Sequence, residues 1–246
     1  MTKTYRIAEL NIRIASIHEN VHRLCAEYLT EEGPVDLDIE TTEEEISFER
    51  RRSARQDERD GREIRDFSDG YLETLAVYRR IAEKAPMHDT FLLHGSCIAV
   101  DGSAYLFTAK SGTGKSTHVR LWREMLGDRA VMVNDDKPLI RLTETEPVVY
   151  GTPWDGKHRL SSNISVPLRA VCILERAEEN SIRPITPGEA YPMLFQQIYR
   201  PMNPEAMQKT LELTDRLANR TALWRLGCTI SPEAARIAFS AMSGQE

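Results

Sequence analysis

The sequence lacks the features that direct a chain into or across a membrane. No apolar run approaches the roughly 18 residues of a membrane-spanning helix, and residues 1–6 lack the apolar core of a signal peptide. An excess of positive charge is also missing, since the net charge is −6 and the pI is about 5.6. Without a positive field to attract a phosphate backbone, a nucleic-acid partner is not expected. We therefore expect a cytoplasmic protein that binds neither membranes nor nucleic acids.

Cysteine is scarce, and its spacing indicates neither a disulfide framework nor a zinc site. The four cysteines are Cys25, Cys97, Cys172 and Cys228, and no two of them form a C-x-x-C pair. Cys97 and Cys172 lie in apolar runs, so buried free thiols are expected. Hydrophobic residues make up 41% and charged residues 28% of the chain, as in a globular protein. The 246 residues are enough for two domains, which we place at 1–86 and 87–246.

The N-terminal region shows the alternation of apolar and polar residues that is typical of strands. The alternating segments are residues 5–15, 35–39 and 45–48. They predict a small antiparallel sheet. Residues 41–66 are dense in both charges and include Arg50-Arg51-Arg52, which favours a solvated face or mobile loop over a phosphate contact. Ser68 or Asp69 then caps a predicted helix that runs to about Lys84.

Residues 109–117 match the phosphate-binding loop pattern G-x-x-x-x-G-K-[ST], with Ala109 in the place of the first Gly. The alternative interpretation is a Gly-rich turn that caps a helix. The context favours the loop, because residues 103–108 read as a strand that enters it and residues 117–125 as a helix that leaves it. Before that strand, residues 96–100 form another strand pattern, and Asp101-Gly102 between the two predicts a hairpin.

The residue types in this loop suit the binding of a polyphosphate. Gly112 and Gly114 allow the backbone to form a concave row of N–H groups. Lys115 supplies a cation for the β- and γ-phosphates, and Ser116 offers a hydroxyl to Mg²⁺. The positive end of the following helix also favours an anion. The sequence therefore predicts a nucleotide-phosphate site.

A second polar group follows the apolar strand pattern of residues 130–133. Asn134-Asp135-Asp136 ends this strand about 20 residues after the phosphate loop. Carboxylates in this position direct Mg²⁺ in phosphoryl-transfer enzymes. The alternative is an Asn-Asp-Asp turn between two strands. The nearby phosphate loop favours the functional interpretation.

The remaining chain predicts a mixed α/β core. A strand pair is expected at 138–142 and 147–150, a core strand at 168–174, a further strand at 221–226, and helices that begin near 187, 203 and 231. Between them, residues 151–159 form a polar loop. Trp154 could lie against a base and Lys157 or Arg159 against phosphate or substrate, and a structural turn explains this loop equally well.

Three motifs together resemble the HPr serine kinase/phosphorylase family, whose core is shared with ATP-dependent phosphoenolpyruvate carboxykinases. They are Leu93-His94-Gly95, the loop at 111–116 and Val133-Asn134-Asp135-Asp136. The resemblance implies a P-loop core of this type within an α/β fold (an α+β mixed sheet). The residue patterns described above add a small N-terminal antiparallel β-rich region and C-terminal helices on either side of this core. It covers residues 89–140 well and 147–176 loosely.

The resemblance also implies a role for each matching residue. Lys115 and the loop residues hold ATP, Ser116 and Asp136 bind Mg²⁺, Asp135 acts as general base and His94 supports the phosphoryl site. The implied nucleotide-binding residues are Ser111, Gly112, Thr113, Gly114, Lys115, Ser116 and Thr117.

The function that we expect is an ATP-dependent, Mg²⁺-requiring kinase that phosphorylates a hydroxyl. The acceptor is a protein serine, a peptide or a small molecule, and a homo-oligomer is compatible with the sequence. The alternative is a nucleotide-binding regulatory module with weak or no transfer activity. A carboxykinase-like lyase is disfavoured, because the chain is short for that family.

Overall fold

In the computed structural model, which describes residues 1–156 and 158–245, the chain divides into two compact units, Met1–Ala85 and Pro86–Glu246. Among the helices of the described residues, none combines the length and the apolar character that a membrane span requires.

The first unit combines a three-stranded sheet with helices. Its elements are, in chain order, β1 (Thr2–Ile7), β2 (Leu10–Ala15), α1 (Asn20–Leu24), β3 (Leu37–Glu40), α2 (Glu43–Arg59) and α3 (Asp69–Lys84). The strand order is β1-β2-β3, with β1 antiparallel and β3 parallel to β2. The prediction of a wholly antiparallel sheet is therefore wrong. A long connection that contains α1 separates β2 from β3, and such crossover connections join parallel strands.

The single strand predicted over residues 5–15 is a hairpin. Ala8 and Glu9 both have positive φ, 53° and 61°. Two successive residues of this kind form the tight turn whose twist matches that of paired strands. Neither Ala nor Glu is a typical turn residue, so the alternation of apolar and polar residues did not reveal the turn that divides this segment into two strands.

The strand predicted over residues 45–48 is also wrong, because this segment lies in α2. Ile46 and Glu49 are buried and Phe48 is exposed, which is the spacing of a helix face. Three glutamates, Glu43 to Glu45, occupy the first turn, where the helix dipole favours negative charge. The charged segment expected to be a solvated face or loop is thus largely helical.

The predicted helix from Ser68 to Lys84 is confirmed as α3. Ser68 is its N-cap, and its Oγ accepts a hydrogen bond from the Tyr71 backbone N–H. Further along α3, the buried Glu73 carboxylate accepts the backbone N–H groups of Ile17 and His18, both at 2.7 Å. These bonds fix the segment that follows β2 to α3.

The second unit is built on a nine-stranded sheet. Its elements are β4 (Thr90–Leu92), β5 (Ser96–Val100), β6 (Ser103–Thr108), α4 (Lys115–Leu126), β7 (Ala130–Asn134), β8 (Leu139–Leu142), β9 (Pro147–Tyr150), β10 (Ser165–Arg176), β11 (Ser181–Pro184), α5 (Pro187–Gln197), α6 (Pro204–Arg220), β12 (Ala222–Cys228) and α7 (Pro232–Ser243). Seven strands follow the order β4-β8-β9-β10-β6-β5-β7, while β12 pairs with β10 and β11. β10 is parallel to β6 and β12, and the other pairs are antiparallel.

Helices cover the sheet on both faces, which gives an α/β architecture with a mixed sheet. Along β10, Val171 and Ile173 belong to a core cluster with residues of α5 and α6. Cys172 and Leu174 belong to a second cluster with residues of α4 and α7. Because alternate side chains point to opposite faces, β10 is buried on both sides and forms the centre of the unit.

Most sequence predictions for this unit are confirmed. The β5–β6 hairpin turns at Asp101 and Gly102, both with positive φ, and β8 and β9 form the expected antiparallel pair. β11 was not predicted. Cys97 and Cys172 are free and buried as expected, and burial raises the pKa of both thiols.

Candidate functional site

The phosphate-binding loop connects β6 to α4, in the strand–loop–helix arrangement that the sequence predicted. Gly112 has φ +75° and Gly114 has φ +118°, conformations that side chains rarely tolerate. Apart from the glycine and its two chain neighbours, no atom of the described residues lies within 4 Å of the position that a Cβ would take at either residue. The backbone therefore borders open space here, as a loop that receives a ligand must.

Lys115, the first residue of α4, lies inside this loop. Its Nζ donates a hydrogen bond to the Ala109 carbonyl oxygen at 3.1 Å, and the residue is 9% exposed. Burial lowers the pKa of Lys115, and the negative charge of Asp136 opposes this effect. Binding of an anionic ligand next to Lys115 would offset the free-energy cost of burying its positive charge.

Arg176 is a second cation at the loop that sequence reasoning did not assign to the site. It donates from Nη2 to the Gly112 carbonyl oxygen at 2.6 Å. This contact depends on the sheet topology, because β10 runs parallel to β6 and Ile173 pairs with Thr108. The carboxyl ends of both strands therefore meet at the same edge of the sheet.

Asn134 organises the turn that carries the two aspartates. Its Oδ1 accepts the backbone N–H groups of Asp136 at 2.9 Å and Lys137 at 2.6 Å. Its Nδ2 donates to the Thr152 carbonyl oxygen at 3.1 Å, and the side chain is fully buried. The turn considered as an alternative is thus present, and it fixes the two carboxylates in place.

Asp136 is held in place by His94 of the Leu93-His94-Gly95 motif. His94 Nε2 lies 3.0 Å from Asp136 Oδ1, and Lys137 Nζ lies 3.6 Å from Asp136 Oδ2. Burial raises the pKa of Asp136, but the hydrogen bond from His94 and the charge of Lys137 outweigh burial and hold it below its usual value. Asp136 is therefore a carboxylate at neutral pH.

Asp135 lies in a different environment from its neighbour. The residue is 6% exposed, and its Oδ1 accepts the Gly156 backbone N–H at 2.5 Å. Burial raises the pKa of Asp135, with further contributions from the charges of Asp155 and Asp136, and the Gly156 bond opposes them. Two adjacent carboxyl groups with pKa values shifted in opposite directions are suited to different roles.

Asp155 is a third carboxyl group near the aspartate pair, and the sequence analysis did not single it out. Burial raises its pKa, while a hydrogen bond that Ser161 Oγ donates at 3.0 Å opposes this effect. Asp155 lies in a loop 20 residues after Asp135, and no local sequence pattern connects the two residues. Only the fold brings them together.

The loop that carries Asp155 also contains Trp154, Lys157 and Arg159, for which contacts with a base, phosphate or substrate were considered. Trp154 is 4% exposed, so its ring has little free surface on which a base could stack. The structural-turn interpretation therefore fits Trp154 better. Arg159 is exposed and has positive φ, and its N–H donates to the Gly156 carbonyl oxygen. Lys157 lies outside the described residues.

A cavity of about 430 Å³ joins the phosphate loop to the aspartate turn. We call it the Asp135 cavity. The predicted site residues among its walls are Ser116, Thr117 and Asp135, and the same cavity is lined by Arg120, Arg123 and His158. Among the other predicted residues, Ser111 is exposed and the Thr113 N–H donates to the Lys110 carbonyl oxygen. The fold therefore brings residues from two distant motifs to one surface.

The residues present suit ATP and Mg²⁺. The open glycine loop and the buried Lys115 match the needs of a polyphosphate. Ser116 and Asp136 offer the oxygen donors that Mg²⁺ prefers. Within residues 1–156 and 158–245, no group of three or more His, Cys, Asp or Glu side chains could hold a metal ion.

Comparisons with known proteins give a family and a distant likeness to solved structures. The family model described as "SynChlorMet cassette protein ScmC" matches residues 63–238, well over half of the chain. A solved structure, the Hpr(Ser) kinase/phosphatase from Coxiella burnetii, is similar at 10% sequence identity and a TM-score of 0.35, over 62% of this chain and 95% of that one. No curated protein matches the sequence.

Proposed function

We propose that this chain, which belongs to the ScmC family of SynChlorMet cassette proteins, is an ATP-dependent, Mg²⁺-requiring phosphotransferase. It moves the γ-phosphate of ATP to a hydroxyl of a protein, a peptide or a small molecule. The observation that carries this proposal is the Asp135 cavity, where a buried carboxyl group shares one space with Ser116 and Thr117 of the phosphate loop.

The loop binds the phosphates of the nucleotide. The N–H groups of the glycine loop and the positive end of α4 attract the anion, and Lys115 binds the β-phosphate. Arg176 holds the Gly112 carbonyl and adds positive charge at the same loop. When bound, Mg²⁺ neutralises phosphate charge, with Ser116 and Asp136 as its protein ligands.

Asp135 acts as the general base on the acceptor. It removes the proton of the acceptor hydroxyl, whose oxygen forms a bond to the γ-phosphorus. The bond between that phosphorus and the oxygen bridging to the β-phosphate breaks, and ADP leaves. The raised pKa of Asp135 moves it toward neutral pH, where a general base is most effective.

His94 positions the magnesium ligand. Its contact with Asp136 keeps that group ionised, and it is itself fixed by Gln197 Oε1, 2.9 Å from His94 Nδ1. The likeness of these motifs to the HPr serine kinase/phosphorylase family supports the same assignment.

A transfer assay tests the proposal. The wild type and Asp135→Asn are incubated with radiolabelled ATP, Mg²⁺ and a panel of serine peptides and small alcohols. We expect transfer by the wild type and a loss of about 10²- to 10⁴-fold in the variant, with ADP binding retained. Equal transfer by both proteins would contradict the role of Asp135. Nucleotide binding without transfer to any acceptor would favour the regulatory module instead.

A further inference from the structure

We propose that the Asp135 cavity selects an acceptor that carries an anionic group, a carboxylate or a phosphate, in addition to the hydroxyl. This inference rests on the proposed function, and it concerns the part of the cavity that extends along α4. Arg120 and Arg123 line that part.

The two arginines are available to a ligand. Both are exposed, and the Arg123 side chain forms no hydrogen bond or ion pair with any described residue. Arg120 pairs with Glu124 at 2.6 Å, but both side chains are more than half exposed, and such surface pairs contribute little. A ligand anion can replace Glu124, and guanidinium groups bind carboxylates and phosphates through two parallel hydrogen bonds.

Helix geometry gives the spacing of the two arginines along the cavity. Ser116, Arg120 and Arg123 lie on one face of α4, at the i, i+4 and i+7 positions. With a rise of about 1.5 Å per residue, Arg120 lies about 6 Å and Arg123 about 10 Å along the axis from Ser116. Because the arginine side chains are long and flexible, we expect the anionic group of the acceptor within about 10 Å of the hydroxyl.

Other residues that line the Asp135 cavity indicate what part of the acceptor connects its hydroxyl to its anionic group. Val119, Met132 and Leu160 give this part of the cavity an apolar lining. An aliphatic chain or two to three residues of extended peptide, at about 3.3 Å each, span the required distance. A serine peptide with an acidic residue two or three positions away and a small hydroxy acid both satisfy this chemistry.

Matched probes that differ only in charge test the inference. One pair is 6-hydroxyhexanoate and 6-hydroxyhexanamide. The other probes are serine peptides with Glu or Gln two or three positions from the serine. Binding is measured by calorimetry with and without Mg²⁺ and a non-hydrolysable ATP analogue. We expect at least one acid to bind about tenfold more tightly than its amide, and the pair that shows this identifies the source of the anion.

Three arginine variants locate the effect. Arg120→Gln and Arg123→Gln should reduce the preference for the acid, while Arg129→Gln, which removes an exposed arginine paired with Asp101, should leave it unchanged. Thermal melting checks that each variant is folded. Equal binding of every acid and amide, or a preference that survives in both cavity variants, would overturn the inference. Failure of the ATP analogue to bind would instead count against the proposed function, since the probes are also measured without it.

Discussion

His94 bridges Asp136 and Gln197, with Nε2 3.0 Å from Asp136 Oδ1 and Nδ1 2.9 Å from Gln197 Oε1. Both ring nitrogens thus face acceptor oxygens. The His94 backbone is fixed as well, because its carbonyl accepts a hydrogen bond from Thr108 Oγ1 at the end of β6. One side chain therefore links the strand that enters the phosphate loop to the turn that carries the aspartates.

Replacing His94 with Ala should weaken the proposed Mg²⁺ site. Burial of Asp136 is then opposed mainly by Lys137, so the pKa of Asp136 rises. The Mg²⁺ concentration that half-saturates the stabilisation by ADP should increase about tenfold, as for other residues that orient metal ligands. The increase should be larger at pH 6 than at pH 8. The comparison variant is His88→Ala; an equal effect in both would argue against the positioning role.

Asp135→Asn should stabilise the protein at neutral pH. Burial raises the pKa of Asp135, so the folded state loses stability as the pH rises through that pKa. Asn carries no charge and retains an oxygen to accept the Gly156 N–H. Urea unfolding should therefore give a higher midpoint for the variant at pH 7, and the gain should shrink at lower pH. A lower midpoint at pH 7 would show that the carboxylate stabilises the fold.

The buried His118 should make stability dependent on pH. Burial lowers its pKa from 6.5 to about 4, and its Nε2 accepts the Trp122 Nε1–H. As the pH falls from 6.5 to 4, the unfolded chain takes up a proton that the folded chain does not, so stability decreases, by about 3 kcal/mol for this group. His118→Phe should be less stable at pH 7.5 but show a flatter decrease. An unchanged slope in urea unfolding would contradict this account.

Two glycine substitutions should have effects of opposite sign. A Cβ at Gly95 would lie 2.8 Å from the Phe107 carbonyl oxygen. At Gly188, in the first turn of α5, a Cβ would meet no atom of the described residues within 4 Å beyond its chain neighbours and the backbone of its own helix. Gly95→Ala should cost about 1–3 kcal/mol of unfolding free energy, and Gly188→Ala should add about 0.5–1 kcal/mol. Urea unfolding measures both. A stable Gly95→Ala protein would show that β6 can shift away.

The sequence predicted those parts of the site that depend on contiguous residues. The phosphate loop, the Asp101-Gly102 hairpin and the aspartates at the end of β7 each carry their signal within a few positions. Gln197 and Arg176 could not be found in this way, because Gln197 lies 103 residues from His94 and Arg176 reaches the loop only through the parallel pairing of β10 with β6.

The N-terminal errors have a different physical origin. The four residues from Glu45 to Phe48 contain two apolar side chains, too few to separate a period of 2 from one of 3.6. Contacts between α2 and α3 favour the helix over a strand in this segment. Arg79 Nε, for example, donates to the buried Glu49 carboxylate at 2.5 Å. This ion pair joins residues that are 30 positions apart.

The loop around Lys115 is proposed to bind a magnesium nucleotide. A thermal-shift titration with ADP and ATP, with and without Mg²⁺, on the wild type and Lys115→Ala tests this binding most directly. A ligand at 100 times its dissociation constant adds about 2.7 kcal/mol of stability. We predict a shift of this order for the wild type that depends on Mg²⁺ and is lost in the variant. No shift with any nucleotide, or equal shifts in both proteins, would contradict the account.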